Sequence, residues 1–377
     1  MDCLLDVSKY ISVEVDRKGL IEMRALIAMS GGVDSSVAAK LMVDRGFDCV
    51  GCTMRLYEND IVGMDLMDVC CSLENTKDAR SVADKIGIPY KIFHYENKFI
   101  DRVIDPFVRA YEEGRTPNPC IECNRFMKFD YLLEEMKKLD CDYIVTGHYV
   151  RVEYNESTGR YVLKKALDAT KDQSYVLYML TQEQLAHTLF PLGEFTKTHI
   201  RELAEADGFV NAKKHDSQDI CFVPDGDYVG FMERFSGKSY EEGNFVDREG
   251  NVLGKHKGYV HYTIGQRHGL GISAAYPLYV LDILPETNEV VVGRNEDLFR
   301  RELIATNVNL ISIDKIEGEM RVKARIRYSQ KEQPATVTAL DDNTIKVVFD
   351  EPQRAITKGQ AVVMYDGDNV VGGGMII

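Results

Sequence analysis

The chain has 377 residues, 45% of them apolar and 28% charged, an ordinary globular composition that allows two or three domains and a sizeable core. No run approaches the ~18 uninterrupted apolar residues of a membrane-spanning helix, and the N-terminus reads as neither a signal peptide nor an Arg-rich transit peptide, so a cytoplasmic protein with no membrane partner is expected. The net charge of −14 opposes approach to nucleic acid unless cations gather locally, and nine scattered cysteines argue for reduced thiols, metal ligands or redox chemistry over a secreted disulfide framework.

Residues 1–22 carry mixed charge without a helical stripe and read as an N-terminal extension, with Met23 an alternative start. From there short apolar runs alternate with amphipathic stretches. Strands are predicted at Ala25–Met29, Cys49–Met54, Tyr90–His94 and Tyr143–Thr146, and helices at Val37–Arg45, Lys77–Ile86, Ile100–Glu113 and Phe126–Leu139. This βαβ pattern predicts an α/β domain with a mainly parallel sheet, whose ligands sit beyond the carboxyl ends of the strands. A hairpin around Asn155–Gly159 and helices over 175–209, broken at Pro191–Gly193, complete a domain spanning 23–224. Glycine-rich turns then mark a small central β-rich module, 225–296. Alternating segments at Val308–Ile313, Arg321–Tyr328, Ala335–Leu340, Thr344–Phe349 and Ala361–Tyr365 predict a C-terminal antiparallel β-barrel, 297–377.

The run Ala28-Met29-Ser30-Gly31-Gly32-Val33-Asp34-Ser35 is the most informative. A strand ends there in two glycines flanked by hydroxyls, and a helix begins near Ser35. Missing side chains at Gly31 and Gly32 let backbone N–H groups approach a polyanion, and the helix start adds positive potential. The pattern S-G-G-x-D-S resembles the PP-loop of ATP pyrophosphatases, which cleave ATP to AMP and pyrophosphate, and it lacks the lysine of a G-x-x-x-x-G-K-[ST] loop. An ordinary Gly-rich strand-to-helix turn is the bland alternative.

Cys120 and Cys123 lie in a proline-rigidified loop, Thr116-Pro117-Asn118-Pro119-Cys120-Ile121-Glu122-Cys123-Asn124, just before a predicted helix. That position, with Arg115, Arg125 and Lys128 nearby, favours thiolate. Cys221 follows on another polar loop. Cys49, Cys52 and Cys141 fit buried hydrophobes, and Cys70-Cys71 fit a loop. Zinc would need a fourth ligand that no second C-x-x-C supplies. Sulfur transfer or an iron–sulfur cluster is compatible with three cysteines, and the residues leave these readings open.

The PP-loop, the Pro-Asn-Pro-x-x-x-Cys-Asn segment, Thr146-Gly147-His148-Tyr149, Lys171-Asp172-Gln173-Ser174-Tyr175 and Asp216–Cys221 occur in this order, and together they resemble the tRNA-specific 2-thiouridylases of the MnmA type from about residue 24 to the C-terminus. The resemblance implies ATP-dependent 2-thiolation of the wobble uridine of glutamate, lysine and glutamine tRNAs, with Mg²⁺ and an upstream sulfur donor. It implies that Ala28 to Ser35, Met54 and Gly147 bind ATP, that Cys123 is the nucleophile and that Cys221 carries a persulfide. It further implies that Asn118, Pro119 and Cys120 face the target base, and that His148, Lys171, Asp172, Gln173, Arg327, Tyr328 and Gln360 touch tRNA. Many members have Asp at the position of Cys120, where a carboxylate can act as acid or base. The substitution opens an alternative in which Cys120, Cys123 and Cys221 hold a [4Fe–4S] cluster with hydrosulfide on its open iron.

The chemistry accounts for these parts. Adenylation turns the poor O2 leaving group of uridine into one that departs as AMP, and sulfur then attacks C2 as an anion. The base must leave the anticodon stack, at a cost on the order of a few kcal/mol, so single-stranded loop recognition is expected. Arg321, Lys323, Arg325 and Arg327, at period two with Val322, Ala324 and Ile326 between them, predict a cationic ridge of roughly 20 Å for the phosphate backbone. Lys255, His256, Lys257, Arg267 and His268 would extend it, whereas His215 and His261 fit structural or solvent-facing roles. The rival enzyme is another PP-loop ligase forming an amide or amidine, and the rival without catalysis is a tRNA-binding iron–sulfur protein.

Overall fold

The computed structural model describes residues 23–57, 73–214 and 220–377. The N-terminal extension, Cys70, Cys71 and His215 therefore lie outside the described residues. The first part carries strands β1 (Arg24–Ala28), β2 (Asp48–Arg55), β3 (Tyr90–His94), β4 (Tyr143–Val145), β5 (Val150–Asn155), β6 (Arg160–Lys165) and β7 (Thr188–Leu189). Five of them form a parallel sheet in the order β3-β2-β1-β4-β7. Ala25, Leu26 and Ile27 of the central strand are fully buried, because helices cover both faces. The two-residue period sends Ala25 and Ile27 into a cluster with Val37, Ala38, Phe47, Ala79 and Ile200, and Leu26 to the opposite face with Val50, Leu132, Met136 and Ile144.

The parallel α/β layer is as expected, but all four helices start earlier than their apolar periodicity indicates, the second at Leu73 and the third at Glu96. The helix after β1 runs Val33–Asp44, directly from Gly32. The helix expected at Phe126 begins at Pro119 and passes through a π-helical stretch, Cys123–Tyr131, into Leu132–Lys138. Pro119 at its first position and the Asn118 side chain, which accepts from the Cys120 N–H at 3.1 Å, are its start signals. Cys120 and Cys123 thus stand in the helix, not in a loop before it. Over 175–209 the α-helices are Gln182–Ala186 and Lys197–Ala206, Ser174–Leu177 is a short 3₁₀ turn, and Thr188–Leu189 adds the fifth strand instead.

The middle part has a helix, Tyr228–Ser236, and a sheet of β8 (Gly243–Val246), β9 (Val252–His256), β10 (Tyr279–Leu284) and β11 (Glu289–Gly293) in the order β10-β11-β8-β9. Six strands follow: β12 (Phe299–Leu310), β13 (Glu319–Arg325), β14 (Gln333–Asp341), β15 (Thr344–Arg354), β16 (Ala361–Asp366) and β17 (Asn369–Ile376). All neighbours are antiparallel, and β12 pairs with both β15 and β17, which closes the barrel. The sequence pattern misses β17, whose Val370-Val371-Gly372-Gly373-Gly374 core has few side chains to alternate. Glycine is required there because a Cβ at Gly373 would lie 2.5 Å from the Val362 carbonyl oxygen. The β5–β6 hairpin extends the barrel sheet through Asn369 and Lys164, so it does not simply close off the first domain.

The basic ridge forms only in part. Val322, Ala324 and Ile326 are buried as expected, at 6%, 0% and 1% exposure. Arg321 is exposed but paired with Asp350. Arg325 turns inward: its Nη2 donates to Asp172 Oδ2 at 2.9 Å and to Ser174 Oγ, and its Nε donates to the Tyr365 hydroxyl. Arg327 donates to the Ala355 carbonyl and Thr357 Oγ1. The pattern gave the side of the strand, but not the acceptors supplied by distant loops. In the middle module His256 is likewise withdrawn, buried against Phe245 and Tyr262.

The Arg325–Asp172 pair ties the barrel to the first domain with side chains only 11% and 7% exposed. Arg325→Met strands a buried carboxylate, so urea denaturation is expected to show a loss of about 3–5 kcal/mol, whereas Arg321→Met at the exposed pair should leave the transition midpoint unmoved.

Candidate active site

The site is assembled at the carboxyl edge of the parallel sheet. Gly31 has φ +78° and lies so close to the next helix that a Cβ would stand 2.2 Å from the Asn75 carbonyl oxygen. Only glycine combines that conformation with that approach. Asn211, 2% exposed, donates to the Gly31 carbonyl at 2.8 Å and to Ser36 Oγ at 2.9 Å. Ser35 Oγ accepts from the Ser30 N–H and donates to the Gly32 carbonyl. Gly32 caps the helix without a side-chain hydrogen bond, so the first-turn amides of Val33, Asp34 and Ser35 have no side-chain cap and remain oriented for an anion. Met29 is held from β2, its carbonyl accepting from Thr53 Oγ1 at 2.5 Å.

Gly147 closes the cradle from β4. A Cβ there would be 2.8 Å from the Ser35 nitrogen, so the two loops touch backbone to backbone. Asp34 is neutralised within the site: its two carboxylate oxygens each accept from Lys197 Nζ at 2.8 Å, and Oδ1 also accepts from the Tyr149 hydroxyl at 2.7 Å. Lys197 is 7% exposed. Its role escaped the sequence reading because it lies on a helix 163 residues from Asp34. The one local signal was the Thr196 N-cap, which fixes where that helix begins.

Cys123, 8% exposed, joins an apolar cluster with Phe99, Phe107, Met127, Phe222 and Phe231, and both Cys221 and Met54 pack against the same cluster. Met54 is near the end of β2, so the nucleotide edge and both thiol residues meet at one packed apolar cluster. The Tyr57 hydroxyl, buried at 4% exposure, donates to the Cys221 carbonyl at 3.0 Å. Cys120 lies on the exposed side of its helix turn. Among the described residues no three His, Cys, Asp or Glu side chains converge on a metal position. Cys120, Cys123 and Cys221 therefore do not fit a [4Fe–4S] cluster in this conformation, since Cys123 turns into the apolar cluster while Cys120 faces solvent. The buried thiols behave as hydrophobes: burial pushes Cys49 up to about 12 and raises Cys52 and Cys141.

The residues expected to meet tRNA fall into two groups. Cys120 and Lys171 lie within electrostatic reach of Tyr328: its phenol is raised by burial and by Asp172, against the opposing charges of Arg325 and Lys171, with Cys120 also acting on it. Tyr328 is 45% exposed and meets the edge of Tyr175. The others hold the scaffold. Pro119 is buried at the start of its helix. Asp172 accepts from Ala166 N, Ser174 N, Ser174 Oγ and Arg325. Gln173 exchanges two hydrogen bonds with the backbone of Tyr149, at 2.9 and 3.1 Å. Gln360 Nε2 donates to the Thr116 carbonyl at 2.8 Å, next to a Thr116–Lys358 backbone bond, so the barrel grips the loop that presents Asn118 and the cysteines. His148 is buried at 7% exposure between Phe129 and Phe190. Burial, with the Lys128 ammonium adding to it, holds its imidazole well below the ordinary range.

Family models match three consecutive segments: a tRNA methyl transferase HUP domain over residues 23–225, a tRNA methyl transferase PRC-barrel domain over 230–294 and an aminomethyltransferase beta-barrel domain over 300–376. The chain is 55% identical over 353 residues to a tRNA-specific 2-thiouridylase MnmA of Clostridioides difficile (strain 630), an alignment covering 94% of this chain and 98% of that protein. It is 50% identical to its counterpart in Clostridium botulinum (strain Alaska E43 / Type E3), covering 95% and 98%, and 53% identical to a tRNA-specific 2-thiouridylase MnmA 1 of Thermoanaerobacter sp. (strain X514), covering 94% and 97%. With identity of 50–55% sustained over nearly the whole of these relatives, and a lysine-free cradle beside the apolar cluster that Met54, Cys123 and Cys221 share, the chain belongs to the tRNA-specific 2-thiouridylase family.

Proposed function

We propose that this protein is an ATP-dependent tRNA sulfurtransferase that adenylates the C2 oxygen of the wobble uridine and replaces it with sulfur. The observation that carries the reading is that Met54, at the end of β2 on the nucleotide edge, packs on the same apolar cluster as Cys123 and Cys221. ATP would lie with its pyrophosphate on the first-turn amides of the helix Val33–Asp44 and on Ser30 and Ser35, and Mg²⁺ bound with it would supply charge neutralisation at the phosphates. Cys221 carries the incoming sulfur as a persulfide received from an upstream donor. The outer persulfide sulfur on Cys221 attacks C2 and AMP leaves with the electron pair of the C2–O bond; the Cys123 thiolate then attacks Cys221 Sγ, the Sγ–S bond breaks with its pair going to the sulfur on C2, the thiolated base departs, and an external thiol reduces the Cys123–Cys221 disulfide. Cys120, Asn118, Lys171 and Tyr328 face the extruded base, and the substrates are the glutamate, lysine and glutamine tRNAs.

The test supplies purified protein with ATP, a persulfide donor, a reducing thiol and each of these tRNAs in unmodified form. AMP and pyrophosphate should appear only with tRNA, and the product should be retarded in a mercury-affinity gel; a tRNA with cytidine at the wobble position should give neither. Steady AMP release without tRNA, driven by a small amine acceptor, would instead identify an amide-forming ligase.

Activation and sulfur delivery use different groups, so they should separate. Cys221→Ser is expected to keep tRNA-dependent AMP formation in a single turnover while persulfide-driven thiolation disappears, as read on the same gel. The Asp34–Lys197 pair acts on ATP instead. Lys197→Met leaves an unpaired carboxylate beside the pyrophosphate and should raise the KM for ATP about tenfold, equivalent to roughly 1.4 kcal/mol. Asp34→Asn in the same chain should recover part of that loss, a non-additivity that the double-mutant cycle measures.

A further inference from the structure

A short path joins the cradle to the helix that carries Cys123. The Ser35 amide lies against Gly147, whose neighbour His148 meets Lys128, and Lys128 stands one π-turn along the helix from Cys123, next to Met127 of the same cluster. Among the described residues the Lys128 ammonium has one partner, Nε2 of His148 at 3.4 Å, and forms no ion pair. The other cations here are occupied: Lys197 holds Asp34, Arg325 holds Asp172 and Arg327 holds two backbone carbonyls and Thr357.

His148 determines how Lys128 is presented. Nδ1 lies 2.8 Å from Thr146 Oγ1 in a buried setting. For the ammonium to donate to Nε2, the ring must be neutral with its proton on Nδ1, donated to Thr146. Burial favours that neutral ring. One ammonium proton is thereby anchored, and two remain directed away from the imidazole.

We propose that Lys128 is a catalytic residue of the adenylation step, bonding non-bridging oxygens of the ATP α-phosphate, and that His148 is the positioning residue that orients it. The inference rests on the activity proposed above. In the step, the uridine O2–Pα bond forms as the bond from Pα to the pyrophosphate oxygen breaks, the electron pair leaves with pyrophosphate, and the N3 proton of the base passes to solvent. Lys128 stays protonated throughout. Negative charge builds on the oxygens of the five-coordinate phosphorus, and a fixed ammonium at that point stabilises the transition state more than the ground state. The cradle has no lysine of its own, so the α-phosphate draws this donor from the helix that also carries the thiol.

The experiment measures single-turnover, tRNA-dependent AMP formation at saturating ATP, together with tRNA affinity as a function of salt, for wild type, Lys128→Met, Lys128→Arg and His148→Leu, each checked for folding by circular dichroism. Lys128→Met is expected to slow AMP formation about 10²–10³-fold, the scale of losing one preorganised donor, with tRNA affinity unchanged. Lys128→Arg should recover part of the rate, since it keeps the charge. His148→Leu should slow the step about tenfold, again without changing tRNA affinity, a split between rate and binding that a purely structural role would not produce. Unchanged AMP formation in Lys128→Met, or a loss confined to tRNA affinity with the salt slope reduced by about one, would overturn the assignment. Wild type failing to form AMP with tRNA would remove the activity and this inference together, whereas active wild type alongside equally active Lys128→Met removes the inference alone.

Discussion

An anion site made from backbone works only if the backbone can come close. At Gly31 the chain passes within contact distance of the Asn75 carbonyl in a left-handed conformation, and at Gly147 it presses on the Ser35 amide. These two approaches shape the cradle and bring the ends of β1 and β4 together. Everything else at the site depends on that contact, because β4 leads into His148 and Tyr149 while β1 leads into Asp34. The buried Lys197 ammonium settles the remaining electrostatic difficulty, a carboxylate at the mouth of a polyphosphate site.

Three units meet around this edge, and polar bonds between them set its geometry. The barrel reaches the cysteine segment through Gln360 and Lys358, and reaches the Lys171–Gln173 loop through Arg325. That loop is in turn bonded to Tyr149. A basic residue that looks suited to RNA when read along one strand thus serves as a strut between domains, since a buried carboxylate competes for it more strongly than solvent does. Tyr328, half-exposed and within electrostatic reach of Lys171 and Cys120, places an aromatic face beside a cation, the combination that unstacked bases favour.

The cysteines divide by surroundings. Cys49, Cys52 and Cys141 sit in or beside β2 and β4, where burial keeps them as thiols. Cys123 and Cys221 pack on a cluster rich in phenylalanine and tyrosine, apolar surroundings that suit sulfur chemistry hydrolysis would otherwise intercept. Cys120 faces the opening. A helix start at Pro119 accounts for this division, because it converts a flexible pair of thiols into two fixed positions on one rigid element.

Much was legible along the chain because it is local. Strand-to-helix alternation, the S-G-G-x-D-S turn, the alternating barrel strands and the family motifs all involve residues within a few positions of one another, and period two correctly sent Val322, Ala324 and Ile326 inward. Local signals misjudged the helix starts at Val33 and Pro119, where caps and tertiary packing outweigh apolar periodicity, and missed β17, whose glycines carry no pattern. Pairing across the fold was beyond them altogether. Lys197 with Asp34, Asn211 with Gly31, Arg325 with Asp172 and Lys128 with His148 are separated by 20 to 180 residues. Residue type decides that such groups need partners when buried; only the path of the chain through three dimensions decides which partner each one meets.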